Sequence, residues 1–284
     1  MTQLHPHFGV EVHGVDLRAV TAEHGYPALR AAFEEHSLLL FRNQHLDDDA
    51  HLTFGALWGP IEDRSMGRNG PKPMMDNVSN MRADNTVAPV DDVLTLNLMG
   101  NMLWHTDSTF LPVPALANIL AARVLSSSGG ETELVSSRVA WANMPDSLKD
   151  RARTAVIRHR LSHSRSKISP VLAEQMKHVW PDQTWRALWT NPVTGQDALY
   201  IASHSCGIEG RPDDEGLALI DELIAFCTEH ANVYTHQWCL GDVLVWDERA
   251  TLHRGRPWPY AEERTLASIC ISAQESDGLA TIRP

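Results

Sequence analysis

Short runs without a polar residue punctuate this chain, and their length and composition predict buried strands. Val243-Leu244-Val245-Trp246, branched and aromatic and preceded by Gly241-Asp242, reads as one such strand. Leu38-Leu39-Leu40-Phe41 reads as another, leaving through Arg42-Asn43-Gln44 into a loop. Thr109-Phe110-Leu111 and the apolar stretch after it favour a further extended segment. Elsewhere the apolar positions recur at helical spacing. Residues 26 to 36 carry Leu29, Ala32 and Phe33 on one side, and Asp213 to His230 carries Leu217, Ile220, Leu223, Ile224 and Cys227 on one stripe. Asp47 to Trp58 predicts a helix whose acidic start, Asp47-Asp48-Asp49, suits the positive end of the helix dipole. Val139 to Arg153 predicts a short helix around Pro145-Asp146-Ser147-Leu148. The polar stretch from Arg64 to Pro73, with its Gly and Pro, predicts a flexible loop that could serve as an active-site lid. Strands fill most of the remainder. No repeat or linker interrupts the pattern, so residues 1 to 284 are expected to form a single domain.

The candidate chemistry sits beside these strands. Trp104-His105-Thr106-Asp107-Ser108-Thr109-Phe110 places an imidazole and a carboxylate two residues apart, and on an extended segment both point to the same side. His253 follows the strand at Val243, in Trp246-Asp247-Glu248-Arg249-Ala250-Thr251-Leu252-His253-Arg254. Two His and one carboxylate on one face of a metal are the donor set of a non-haem Fe(II) oxygenase, with the other face open. Strands so distant in sequence bring a third donor to the first two only in a folded-over sheet, a β-barrel or jelly roll. An H-x-D tripeptide in a chain with 15 His is weak alone, because most histidines are surface or hydrogen-bonded residues.

Composition narrows the setting. A net charge of −12 with no basic stripe argues against nucleic acid as a partner. No apolar stretch approaches a membrane span, and Met1-Thr2-Gln3-Leu4-His5-Pro6-His7 has no signal-peptide pattern. Cys206, Cys227, Cys239 and Cys270 are scattered without a CxxC pair, which suits a reduced cytoplasm. A symmetric homo-oligomer is the base expectation.

Further segments fall in a fixed order along the chain. They are Leu4-His5-Pro6-His7-Phe8-Gly9-Val10-Glu11-Val12 with Gly14-Val15-Asp16-Leu17, Phe54-Gly55-Ala56-Leu57-Trp58-Gly59-Pro60, Gly100-Asn101-Met102-Leu103 before the HxD, Ser128-Gly129-Gly130-Glu131-Thr132-Glu133, and His253-Arg254-Gly255. Together they resemble the Fe(II)- and 2-oxoglutarate-dependent dioxygenases of the taurine dioxygenase type, and within them the 2,4-dichlorophenoxyacetate and other aryloxyalkanoate dioxygenases. The resemblance covers nearly the whole chain. It implies a mainly β fold with flanking helices, a double-stranded β-helix (jelly roll) with helical and loop insertions. It implies that His105, Asp107 and His253 ligate Fe(II), and that Thr132 and Arg264 hold the distal carboxylate of 2-oxoglutarate, with O2 as the other co-substrate. A guanidinium fork matches a carboxylate bidentately, and a hydroxyl can add a bond. Without the resemblance, Arg264 in Glu262-Glu263-Arg264 reads equally well as a surface residue.

One position departs from the pattern. Many members carry a second arginine four residues after the equivalent of Arg264, and here that residue is Ser268. An anionic small-molecule substrate would then need another anchor. Arg165 or Lys167, in the basic segment Arg158 to Lys167, is the candidate, and a solvated loop or an oligomer contact is the alternative. Asn101, matching a family position that reaches substrate or co-substrate, and Met102 and Phe110, with Met99 and Leu103, suggest a partly apolar pocket. Trp246 and Trp104 read as its walls or as core. The expected reaction is hydroxylation of a C–H bond, with release of succinate and CO2 and ether cleavage if that carbon bears an aryloxy group. A hydroxylase of an amino acid derivative, sulfonate or secondary metabolite is the alternative. Non-oxygenase readings are a zinc hydrolase, which lacks an HExxH-like helix and leaves Arg264 and Thr132 unexplained, and a non-catalytic metal-binding barrel.

Overall fold

Predominantly apolar strands occupy the centre of the largest sheet, because both faces of that sheet are covered. In the computed structural model, described over residues 1–63 and 75–284, the strands in chain order are β1 (Thr2–His5), β2 (Phe8–Glu11), β3 (Leu38–Phe41), β4 (Asp76–Ser79), β5 (Ala115–Val124), β6 (Thr132–Ser136), β7 (Val156–His159), β8 (Gln183–Arg186), β9 (Leu188–Thr190), β10 (Asp197–Leu199), β11 (Ser205–Ile208), β12 (Tyr234–His236), β13 (Val243–Asp247), β14 (Thr251–Gly255) and β15 (Thr265–Ser272). The helices are α1 (Tyr26–His36), α2 (Asp48–Ala56), α3 (Val93–Gly100), α4 (Ser137–Asn143), α5 (Asp146–Ala152), α6 (Leu161–Ser166), α7 (Pro170–Met176), α8 (Asp213–Cys227) and α9 (Leu279–Ile282).

A seven-stranded sheet runs β1-β2-β3-β13-β5-β15-β4, and a second sheet runs β12-β6-β14. All pairings in both are antiparallel except β2 with β3. Alternation along the central strands divides their side chains between two cores. Leu39, Phe41, Ile119, Ala121, Val243, Val245 and Ile269 pack under Phe33 of α1 and Phe54 of α2. The intervening Leu38, Leu40, Leu120, Leu244, Trp246 and Leu266 face inward and meet Leu134 of β6. This is the expected jelly roll, two facing sheets with open edges, and its interior holds Trp246. A third sheet, β11-β7-β8, and the β9–β10 hairpin extend it, with α8 packed on β11 and α4.

Several local expectations are met and others corrected. α1 and α2 form where the periodicity placed them, α2 with Asp47 accepting from the Ala50 N–H as its cap. The region 139–153 is two helices, α4 and α5, because Met144 precedes Pro145 and is held extended, which ends the first. In α8 the buried stripe includes Gly216 and Leu219 rather than Leu217, and the helix stops at Cys227. The extended segment expected at 109–111 is a turn region, and the strand begins only at Ala115. Ser108 adopts a left-handed φ of 59°, and Pro112 and Pro114 cannot donate ladder bonds, so pairing is delayed. The stretch expected to act as a lid, 64 to 73, lies outside the described residues.

Candidate functional site

A single antiparallel bridge brings the distant donors together. The His105 N–H donates to the His253 carbonyl at 3.0 Å, and the His253 N–H returns a bond to the His105 carbonyl at 2.8 Å. The imidazoles lie 4.1 Å apart, centroid to centroid. The Thr106 hydroxyl, between the two donors, points away and donates toward the carbonyls of Thr251 and Ile201 at 3.0 and 3.2 Å. The left-handed Ser108 then turns the chain, and Asp107 faces back to the rings. His105 Nε2 is 3.7 Å from Asp107 Oδ1, and His253 Nε2 is 3.8 Å from Asp107 Oδ2. One donor atom from each residue lies within 4.8 Å of the others, a spacing that could hold a metal ion. His105 and Asp107 thus converge, by a bridge and turn rather than by strand alternation.

The surrounding groups set protonation and orientation. His105 Nδ1 lies 2.7 Å from the Leu103 carbonyl, which only accepts, so the proton sits on Nδ1 and the Nε2 lone pair points to the site. Burial holds the His105 imidazole below its ordinary pKa, and burial with neighbouring His105 pulls His253 down to about 3. Both rings are therefore neutral and ready to ligate at neutral pH. The Asp107 carboxylate accepts from Asn118 Nδ2 at 2.7 Å, while its backbone N–H donates to Glu248 Oε2 at 2.9 Å. Glu248 is itself wholly buried and takes a bond from Trp246 Nε1 at 2.6 Å. Burial, and then the Asp107 charge, push its carboxyl well above the usual range. These donor types fit a divalent iron that keeps open coordination positions.

The other end of the cavity carries a buried cation. Arg264, one residue before β15, is 4 % exposed. Its Nη2 donates to the Gly130 carbonyl at 2.6 Å, and its guanidinium lies 4.9 Å from the centre of the Trp258 ring. Gly130 has φ +74°, and a Cβ there would come within 2.6 Å of Arg264 Nε, so only glycine lets the guanidinium lie so close. Burial pulls the Arg264 pKa down to about 10, which leaves it cationic at neutral pH. Among the described residues no carboxylate forms an ion pair with it. A buried cation without a counter-charge is costly, and a ligand carboxylate would relieve that cost. Thr132 lines the same cavity and accepts from Trp238 Nε1 at 3.1 Å.

Both ends open into one cavity of about 270 Å³, small-molecule space rather than a polymer groove. Trp246, Asn101, Met102 and Phe110 line it, as does Arg165. Arg165 projects from α6 with Nε donating to Asn97 Oδ1 at 2.9 Å and Nη1 to Ser164 Oγ at 3.2 Å. Lys167 is exposed and stands outside the cavity wall, as do Met99, Leu103 and Trp104. Trp104 instead packs beneath the Arg254 guanidinium, 4.6 Å away. Leu94, Asn97 and Leu98 of α3, His204 and Asn118 also line the cavity and were not singled out from the sequence. Asn118 had a visible signal, since it is the one polar side chain in Ala115-Leu116-Ala117-Asn118-Ile119-Leu120-Ala121-Ala122. Glu248 had a weaker one, lying between two charged residues beside a buried strand.

The family described as Taurine catabolism dioxygenase TauD, TfdA family matches residues 1–270. The chain is 32% identical to the (S)-phenoxypropionate/alpha-ketoglutarate-dioxygenase of Delftia acidovorans, over 96% of this chain and 95% of that one. It is 31% identical to the alpha-ketoglutarate-dependent 2,4-dichlorophenoxyacetate dioxygenase of Burkholderia sp. (strain RASC), over 93% and 91%. Its fold superposes on the crystal structure of AAD-2 in complex with Mn(II) and N-oxalylglycine with a TM-score of 0.89 at 29% identity, covering 97% of this chain and 98% of that one.

Proposed function

The chain belongs to the taurine catabolism dioxygenase TauD, TfdA family, and from that membership we propose an Fe(II)- and 2-oxoglutarate-dependent dioxygenase acting on a small, partly apolar carboxylate such as an aryloxyalkanoate. The observation that carries this reading is the pairing, in one cavity, of a two-His, one-carboxylate donor set with a buried guanidinium that has no carboxylate partner among the described residues. His105, Asp107 and His253 hold the iron. Arg264 and Thr132 take the distal carboxylate of 2-oxoglutarate, and Trp246 walls the space between. Iron with bound 2-oxoglutarate supplies an oxidant from O2, with succinate and CO2 as co-products.

The chain's own residues select and place the C–H bond. Met102, Phe110 and the α3 leucines offer an apolar surface for an aryl or alkyl group, and Asn101 a polar contact. Ser268 is neutral, so the substrate's carboxylate falls to Arg165 across the cavity. Positioning of this kind is the protein's main contribution when a cofactor supplies the reactive chemistry. Hydroxylation at a carbon bearing an ether oxygen gives a hemiacetal that collapses to a phenol and an oxo acid. We place the enzyme in a reduced cytoplasm, as one dioxygenase unit over residues 1–284 in a homo-oligomer without nucleic-acid partners. No disulfide links its cysteines, and among the described residues no helix is long and apolar enough to cross a membrane.

The test is oxygen-dependent succinate formation by Fe(II)-reconstituted protein with 2-oxoglutarate, across aryloxyacetates, aryloxypropionates, N-acyl amino acids and sulfonates. Succinate with equimolar phenol is the expected result. Succinate with a hydroxylated, uncleaved product would shift the substrate class to a C–H hydroxylase. Turnover that ignores 2-oxoglutarate would sink the dioxygenase reading in favour of a hydrolase.

A further inference from the structure

We infer that Asn118, held in place by Ser268, is a positioning residue that fixes the orientation of the Asp107 carboxylate and so sets the affinity of the metal centre. The inference rests on the reading of His105, Asp107 and His253 as metal ligands. Strand β5 is apolar and buried through the jelly-roll interior, and Asn118 interrupts it at the residue paired with Trp246 on one side and Cys270 on the other. An amide buried in such a strand costs free energy unless its groups find partners. Among the described residues, Asn118 finds them toward the site.

Its Nδ2 donates to Asp107 Oδ2 at 2.7 Å, and its Oδ1 accepts from Ser268 Oγ at 3.0 Å. The direction of this relay is forced. An ionised carboxylate only accepts, so the amide must present Nδ2 to Asp107, and Oδ1 must then face Ser268. The Ser268 hydroxyl, buried on β15, can donate there and hold the amide from the far side. With Oδ2 tied to an amide proton, the Asp107 carboxylate cannot rotate freely about its Cβ–Cγ bond. Oδ1 becomes the stronger donor toward a metal beside His105, the ring 3.7 Å away. The serine that stands where an arginine was expected thus acquires a task, and it explains why a small hydroxyl is suited to that place.

Outer partners of metal ligands typically change affinity by on the order of 10- to 100-fold when removed. The test is Mn(II) binding to metal-free protein, by calorimetry and by the electron paramagnetic resonance spectrum of the bound ion. Asn118→Leu keeps the volume and removes both amide groups. It is expected to weaken Mn(II) binding by about 10- to 100-fold and to alter the bound-ion spectrum, with the KM for 2-oxoglutarate at saturating metal unchanged. Ser268→Ala should weaken binding several-fold, and Ser268→Thr, which keeps the hydroxyl, should restore it. Folded Asn118→Leu that binds Mn(II) as tightly as the parent, with the same spectrum, overturns the inference. Should Asn118→Leu fail to fold, Ser268→Ala decides alone: weakened binding supports the relay and unchanged binding refutes it. A parent protein that binds no Mn(II) would instead remove the metal-centre reading on which all of this stands.

Discussion

Arg249 and Arg264 are both buried guanidiniums, 2 % and 4 % exposed, yet their surroundings push them in opposite directions. Arg249 donates to both oxygens of Asp247 at 2.9 Å and to Glu34 Oε2 at 2.6 Å. Glu34 is shared with Arg30 and with Asn191 Nδ2, and Arg30 reaches Asp277 at 2.7 Å. Although burial opposes its charge, these carboxylates hold the Arg249 pKa above the ordinary value. Arg264 has the Gly130 carbonyl, the Trp258 ring and Glu131's distant charge, with no carboxylate ion pair among the described residues, and burial wins, pulling it down to about 10. The first network is complete and ties α1 to the β13–β14 turn. The second is incomplete among the described residues, and the carboxylate proposed for it would come from outside the chain. A finished charge network serves as a structural joint, whereas an unfinished one that opens on a cavity is what a proposed anion site requires.

Breaking each arginine separates the two roles. Arg249→Met strands Asp247 in the interior and leaves Glu34 with Arg30 and Asn191. It is expected to destabilise the fold by roughly 3–5 kcal/mol, the usual consequence of removing one partner of a buried ion pair. Urea unfolding of the metal-free protein measures it. Arg264→Met removes a buried charge that lacks a counter-ion, so the metal-free fold should lose little stability or gain some. Its KM for 2-oxoglutarate should rise on the order of 100-fold, about 2–3 kcal/mol of charge-assisted hydrogen bonding. Arg264→Met as destabilised as Arg249→Met would erase the distinction.

Buried histidines away from the site extend the contrast to pH. Burial pulls His159 down to about 3, and neither ring nitrogen has a hydrogen-bond partner among the described residues. His51, whose Nε2 faces the Ile119 carbonyl at 3.1 Å, is pulled down to about 4 by burial and by the charge of Arg123. Their folded pKa values lie below the unfolded value of 6.5. Stability from neutral burial is therefore full above that value and is lost as pH falls toward the folded pKa. Each histidine should contribute a slope of about 1.4 kcal/mol per pH unit in that window, or roughly 2 kcal/mol by pH 5. His159→Phe should flatten the slope by one proton's worth in urea titrations between pH 7 and 5. An unchanged slope would mean that His159 takes up its proton in the folded state.

The parts of the molecule that could be read from sequence are those with a local rule. Val243-Leu244-Val245-Trp246 and the stripe of α1 announce a buried strand and an amphipathic helix, because period and burial coincide. His105, Asp107 and His253 stand out because the chemistry of a metal site restricts residue types. The cavity roof has no such rule. Val93-Leu94-Thr95-Leu96-Asn97-Leu98-Met99-Gly100 is apolar nearly all round, so no stripe shows which side faces the site, and Asn97 gains meaning only when Arg165 arrives from α6. Lys167 and Arg165 belong to the same basic run, and only the turn of a short helix separates the exposed one from the one in the cavity wall. The turn at Asp107–Phe110 was masked by residues that favour strands, and the left-handed Ser108 that forms it has no compositional signature.

Gly100 offers the finest probe of the difference between the two arginines of the cavity. It ends α3, and a Cβ there would fall 2.6 Å from Arg165 Nη1. The nearest clashing atom is the far end of a flexible side chain, so Gly100→Ala should fold, with a stability change of about 1 kcal/mol or less, the scale of a helical Gly-to-Ala exchange. Arg165 would have to swing away from Asn97, loosening the proposed grip on the substrate's carboxylate at one end of the cavity. Arg264 at the other end would feel nothing. The expected outcome is a several-fold rise in KM for the acidic substrate, about 1 kcal/mol of a charged hydrogen bond, with the KM for 2-oxoglutarate unchanged. Steady-state kinetics with each compound varied in turn reads both. A rise in both constants would show that the two guanidiniums grip one ligand, and the division of the cavity into a co-substrate end and a substrate end would fall.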